Sequence, residues 1–191
     1  MIDRRSVLKL GAASLAGALV GTSSPVLGAA RADRPGFPGA AVFTSQHQEG
    51  LAFADELRAR RVAALSAGYD IAQLWYGHLE AGRAQRAPIA GLTERATLFC
   101  LEELARSAGM RVLYRVDHLI DEHGNAQHSA VGPAWVVQAA SKLTPKSAFG
   151  REMALLASQF EFPDAPSPAA VKRTGPFAPG NKIALVSWMI A

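Results

Sequence analysis

Residues 41–66 read AVFTSQHQEGLAFADELRARRVAALS, and the reading of this stretch decides the fold class. Ala41-Val42-Phe43-Thr44 is a short apolar run of strand length. Gly50 to Arg61 then places Phe53, Ala54 and Leu57 on one side at helical spacing. Val62 to Ser66 is apolar again. Strand, helix and strand within about 25 residues describe a βαβ crossover, the connection that parallel strands require.

The alternation continues downstream. Ile71 to Ala81 reads as a helix, Pro88 to Leu92 as a strand, Glu94 to Ala108 as a helix and Arg111 to Ile120 as a longer strand. End signals support the helices. Asp70-Ile71-Ala72-Gln73 has the form of a capping box, with Tyr69 and Leu74 placed as its hydrophobic staple. Ser45 and Gln48 repeat the box spacing, Gly109 suits a left-handed C-cap, and Thr144 precedes Pro145 as a cap residue before a first-turn proline.

After Ile120 the pattern changes. Arg111–Asp121, His123-Gly124-Asn125 and Ala126–Val131 read as an antiparallel hairpin. With Gly124-Asn125 as a two-residue turn, Asp121 faces His128. His118 then lies on the opposite face beside Val116 and Ile120, as a hydrogen-bonded core histidine. Ala134–Leu143 and Lys146–Phe160 look helical, with Met153, Leu155, Leu156 and Phe160 as candidate core. Residues 163–182 carry five prolines (Pro163, Pro166, Pro168, Pro176 and Pro179) and read as an irregular surface loop. Ile183 to Ile190 is nearly all apolar and reads as a strand buried on both faces. The expected fold is a single α/β domain. Its sheet is mixed but mostly parallel and built from βαβ units, followed by a hairpin and helix region and a buried C-terminal strand.

The first residues stand apart from this pattern. Asp3-Arg4-Arg5-Ser6-Val7-Leu8-Lys9 leads into a weakly apolar stretch, Leu10 to Val20, and Ala30-Arg31-Ala32 follows as a small-residue triplet. This resembles a twin-arginine (Tat) signal peptide of bacterial exported proteins. The resemblance implies passage through the Tat translocase as a folded protein, residence in the periplasm and cleavage near Ala32 or Ala29. Residues 1–32 are then the signal and 33–191 the domain. Leu10–Val20 is far short of the roughly 20 residues that span a bilayer, and no later stretch is apolar enough to do so.

Charge follows from that division. Arg4, Arg5, Lys9 and Arg31 leave with the signal together with Asp3, so 16 basic residues face 15 acidic ones, a net charge of +1. A near-neutral chain carries no footprint for nucleic acid. Cys100, the one cysteine, forms no internal disulfide and reads as a partly buried helical residue between Phe99 and Leu101.

In open α/β sheets, ligands bind where loops leave the carboxyl ends of strands. Here those loops bring Ser45, His47, Asp70, Thr93 and His118, with Asp117 beside the last. Ser45 as nucleophile, His47 as base and Asp70 as orienting acid would make a small hydrolase-like enzyme, although the Gly-x-Ser-x-Gly elbow is missing. Gly-x-Gly-x-x-Gly and Gly-Lys-Ser/Thr are missing too, so no familiar nucleotide motif names a cofactor. His118, His123 and His128, near Asp117, Asp121 and Glu122, are the candidates for a metal. His78 falls on the packing face of its helix by spacing. Trp75, Trp135 and Trp188 read as core filler, and Phe99 projects away from its helix's apolar stripe, toward the proline-rich loop or a partner. Three functions fit. The first is a binding or accessory module serving a small ligand or an exported enzyme. The others are the small hydrolase-like enzyme and a cofactor- or metal-bearing redox accessory protein.

Overall fold

The computed structural model describes residues 36–68, 70–83, 87–144, 148–162, 170–174 and 183–191. Arg4, Arg5, both cleavage positions, the Tyr69 staple, Pro145 and most of the proline-rich segment lie outside the described residues.

β1 (Ala40–Phe43), α1 (Gln48–Ala59) and β2 (Ala63–Ser66) form the expected crossover, with Ala40–Phe43 paired in parallel to Ala63–Ser66. A second helical segment follows, made of α2 (Ile71–Leu74), a π-helical turn (Trp75–Leu79) and α3 (Glu80–Arg83). It leads to β3 (Ile89–Glu94), which pairs in parallel with the other side of β1. α4 (Arg95–Ser107) ends as predicted at Gly109, whose φ is +77°. Gly109 N–H donates to Arg106 and Met110 N–H to Ala105, the paired bonds of a Schellman cap.

β4 (Val112–Ile120) and β5 (Ala126–Gly132) make the hairpin, and α5 (Ala134–Ala140) and α6 (Phe149–Ser158) follow. β6 (Ala170–Thr174) pairs with β5, so a strand interrupts the segment expected to be irregular. β7 (Ile183–Ile190) then enters the middle of the sheet. The order is β2-β1-β3-β7-β4-β5-β6. Two ladders are parallel and the other four antiparallel, so the expectation of a mostly parallel sheet holds only for the third built on β1. The correction has a simple cause. β7 runs antiparallel to both β3 and β4 and keeps those two strands apart.

Alternate residues of β1, β3 and β7 divide between two cores, as the pleat requires. Phe43, Leu92, Val116, Leu185 and Met189 pack under α1, α5 and α6. Val42, Ile89, Val186, Trp188 and Ile190 pack under α4 and the second helical segment. β7 is buried from Leu185 to Ile190, as its apolar run predicts.

Two side chains depart from expectation. His78 is exposed, because the π turn holds Trp75 and Leu79 inward and breaks the 3.6-residue spacing used to place it. Cys100 is exposed rather than partly buried. Phe99 is 65% exposed, away from the buried Leu98, Leu101 and Ala105 of α4 as read. Trp75 and Trp188 are core filler as read, while Trp135 is half-buried against Phe160.

Candidate functional site

β4, β5 and β7 bring three polar side chains together inside the first core. His118 and His128 are direct partners across the β4–β5 ladder, and Ser187 sits on β7 opposite Val116. His118 Nδ1 lies 2.7 Å from His128 Nδ1, and His118 Nε2 lies 2.8 Å from Ser187 Oγ. His118 and Ser187 are 0% exposed and His128 is 2% exposed. Phe149, the first residue of α6, stacks on the His118 ring at a centroid distance of 4.2 Å and meets His128 nearly edge-on at 5.4 Å.

The proton positions follow from the network. Two Nδ1 atoms in contact share one proton, so one ring donates and the other accepts. The backbone of Thr144 also favours the protonated form of His128, as a nearby carbonyl does. That influence favours the tautomer in which His128 carries its proton on Nε2 and accepts at Nδ1. His118 then carries its proton on Nδ1, and its bare Nε2 accepts from the Ser187 hydroxyl. Burial holds both rings neutral. The His118 pKa falls well below the usual 6.5 through burial and the adjacent His128. Burial also lowers His128, to about 4, against the opposing pull of the Thr144 backbone.

Nucleophile, base and orienting group in series is the connectivity of a catalytic triad. Its surroundings withhold the chemistry. Ser187 is sealed, and β7 is paired on both sides, which leaves its backbone no N–H to build an oxyanion hole. As a metal clamp the pair is also too tight. Ligand nitrogens sit about 2 Å from a metal, so two on opposite sides need about 4 Å. The observed 2.7 Å is a hydrogen bond.

The predicted hairpin register placed His118 and His128 on opposite faces; the structure pairs them. The turn is the five-residue connection 121–125, closed by the Asp121 N–H donating to the Asn125 carbonyl. The Asp121 carboxylate accepts from His123 N, Asn125 N and Asn125 Nδ2. The Asn125 side chain is the chief cause of a pKa below the usual carboxylate range. Gly124 takes φ +78°. The register moves by three residues, and an odd shift exchanges the faces. His123 stays in the turn, 76% exposed and 3.8 Å from Glu122. Among the described residues no group of three or more His, Cys, Asp or Glu side chains is arranged to hold an ion.

The remaining candidates are dispersed. Asp70 caps α2 by accepting from Gln73 N at 2.8 Å. Ser45 Oγ meets Ser66 Oγ at 3.2 Å, joining the carboxyl ends of β1 and β2. His47 is the N-cap of α1 and makes no side-chain cap bond, so the predicted Ser45–Gln48 box is not formed. No bond links Ser45, His47 and Asp70. Thr93 lies within β3 rather than in the loop after it, where its hydroxyl accepts from the Trp188 indole at 3.0 Å. It pairs with Val186 in one core, while His118 pairs with Leu185 in the other, so the sheet separates them. Asp117 is also mid-strand rather than at a strand end. It is paired with Arg95 at 3.0 Å and Arg115 at 2.8 Å. Sequence reasoning passed over His128 and Ser187 as partners of His118. The available signal was a lone serine inside the apolar run 183–190.

No protein-family model, curated protein or solved structure matches this chain.

Proposed function

We propose that this chain is a binding or accessory module of the periplasm, carried there folded by the Tat translocase and shortened near Ala32 or Ala29 on the way. The observation that carries the non-catalytic half is the sealing of the Ser187–His118–His128 chain. The residues with triad connectivity are inaccessible, and the accessible residues are not assembled. The binding surface is the rim at the carboxyl ends of β1 and β2, where Ser45, Ser66 and Asp70 are exposed and His47 is half-buried. This rim belongs to the parallel βαβ third of the sheet, where an α/β fold places ligands. Its occupant is a small polar ligand or an exported enzyme that the module serves.

The export half rests on Arg4-Arg5 and on the sheet order. β7 separates β3 from β4, so the sheet closes only when residues 183–190 are in place. Folding is then complete only once the whole chain is made, which is compatible with a route that carries folded cargo.

The test is expression of the full chain in a Tat-competent bacterium beside the double variant Arg4→Lys, Arg5→Lys. Wild type should appear in the periplasmic fraction as a shortened, folded chain, and the variant should stay in the cytosol at full length. Intact mass with elemental analysis of the periplasmic material should give the bare polypeptide. A stoichiometric metal or added mass would select the redox accessory reading instead, and full-length wild type in the cytosol would overturn export.

A further inference from the structure

We propose that the His118–His128 pair makes the α6 cover of this half of the sheet acid-labile. The closed pair takes one proton, and takes a second only after the rings and Phe149 have moved apart.

Bond directions explain both steps. A first proton can settle on His118 Nε2, because the Ser187 hydroxyl can turn from donor to acceptor and every other bond survives. One place then remains, His128 Nδ1. A proton there would set two N–H groups head to head across 2.7 Å, between two cationic rings, inside an apolar core.

The described neighbours on this face of the sheet bring no negative charge. On the same face stand Val116 of β4, Ala126 and Ala130 of β5 and Leu185 and Ser187 of β7, with Phe149 of α6 stacked on the rings, all uncharged. β6 sets Thr174 opposite His128 and the cationic Lys172 opposite Ala130. Among the described residues His118 has no ion-pair partner. At the start of α6, Glu49 of α1 is occupied by Gly150 N. Further along α6, Arg151 pairs with Glu56, and Glu152 acts on Glu49 by repulsion.

What moves is identified by the contacts. Thr144 and Phe149 bracket the connection from α5 to α6, one favouring the protonated His128 through its backbone and the other in ring contact with both histidines. Releasing the rings therefore releases the start of α6. Once in water the two imidazoles titrate near their ordinary value of about 6.5. Below about pH 6 the open form binds two more protons than an unprotonated closed pair. Opening then becomes about a hundredfold more favourable per pH unit, falling to about tenfold once the closed pair has its first proton. Glu49 acts with the opposite sign, because its raised pKa makes the closed form the better proton acceptor at that carboxyl.

The experiment is hydrogen exchange on the full chain between pH 7 and pH 4.5, with rates corrected for intrinsic exchange, on wild type and His128→Gln. Glutamine offers an acceptor to His118 and a donor to Thr144 but does not titrate. Amides of 149–158 and 126–132 should lose protection together, with a dependence near two protons in wild type and near one in the variant. Ring-nitrogen NMR of wild type at pH 7 should show His118 protonated at Nδ1 and His128 at Nε2, which tests the network even where the variant does not fold. Unchanged protection of α6 down to pH 4.5, an identical dependence in the variant, or a charged imidazole in the closed pair at pH 7 would each overturn the proposal.

Discussion

Trp188 fills the space above Gly91. The two are direct partners across β3 and β7, and a Cβ at position 91 would overlap the indole ring. The indole N–H meanwhile donates to Thr93, two residues along β3. Gly91→Ala should therefore destabilise the protein by about 1–3 kcal/mol, at the upper end because a ring fixed by its own hydrogen bond has little room to yield. Urea unfolding measures this. Adding Trp188→Leu to Gly91→Ala should cost less than the sum of the single changes. An alanine variant as stable as its parent would show that the ring is not held there.

Glu49 closes a different contact. Its Oε2 accepts from the Gly150 N–H at 2.6 Å, so a carboxylate of α1 caps the first turn of α6, which has no side-chain cap of its own. Glu49→Ala should cost about 1–2 kcal/mol, as loss of a cap does, and Glu49→Gln less. Burial is the main reason its pKa lies above the usual 4.5, against the lowering by the Gly150 bond. The folded state then binds this proton more readily than the unfolded chain. The resulting stability is fully present below pH 4.5 and is lost as pH rises through the raised value. Glu49→Gln should remove that part of the pH dependence in urea titrations from pH 4 to pH 7. A glutamine variant retaining the full parental slope would refute this assignment.

Tyr114 presents the reverse case. It is 2% exposed in the first core, its ring lies against Phe160, and among the described residues its hydroxyl has no hydrogen-bond partner. Burial alone pushes its pKa upward. Removing an unpaired buried hydroxyl relieves its desolvation penalty, so Tyr114→Phe should be neutral or stabilising by up to about 1–2 kcal/mol. Thermal unfolding decides the sign, and a clear loss would mean that the hydroxyl is bonded.

Local signals in the sequence were legible where one residue does one job. Asp70, Gly109 and the apolar runs of β1 and β7 lie as read, because a cap, a positive φ or a buried strand leaves its mark within a few positions. Legibility failed wherever the outcome depended on register or on distant partners. The hairpin turn needed the Asp121 carboxylate to gather three donors, which favours five residues over two and turns His118 toward His128. His78 was misplaced by one added residue in a π turn. The sheet order was hidden for the same reason. Periodicity gives β7 as a buried strand but does not say that it parts β3 from β4.

That position of β7 leads to the last prediction. β7 is the junction between β2-β1-β3 and β4-β5-β6, and Leu185, Val186, Trp188, Met189 and Ile190 are each at most 1% exposed. Fully burying side chains of this size contributes about 1.5–3 kcal/mol apiece. An aspartate at Val186 would place an unpaired charge against the core under α4, at a cost on the order of 3 kcal/mol or more. Because both halves of the sheet lean on this strand, Val186→Asp should lower the urea midpoint of the whole domain rather than loosen one edge. If the cargo must be folded to cross, the same change should also leave the protein in the cytosol with Arg4 and Arg5 intact, while Ser45→Ala at the exposed rim should be exported like the parent. Normal periplasmic yield of a demonstrably unfolded Val186→Asp chain would break the link between folding and export. A normal urea midpoint would instead put the central placement of β7 in error.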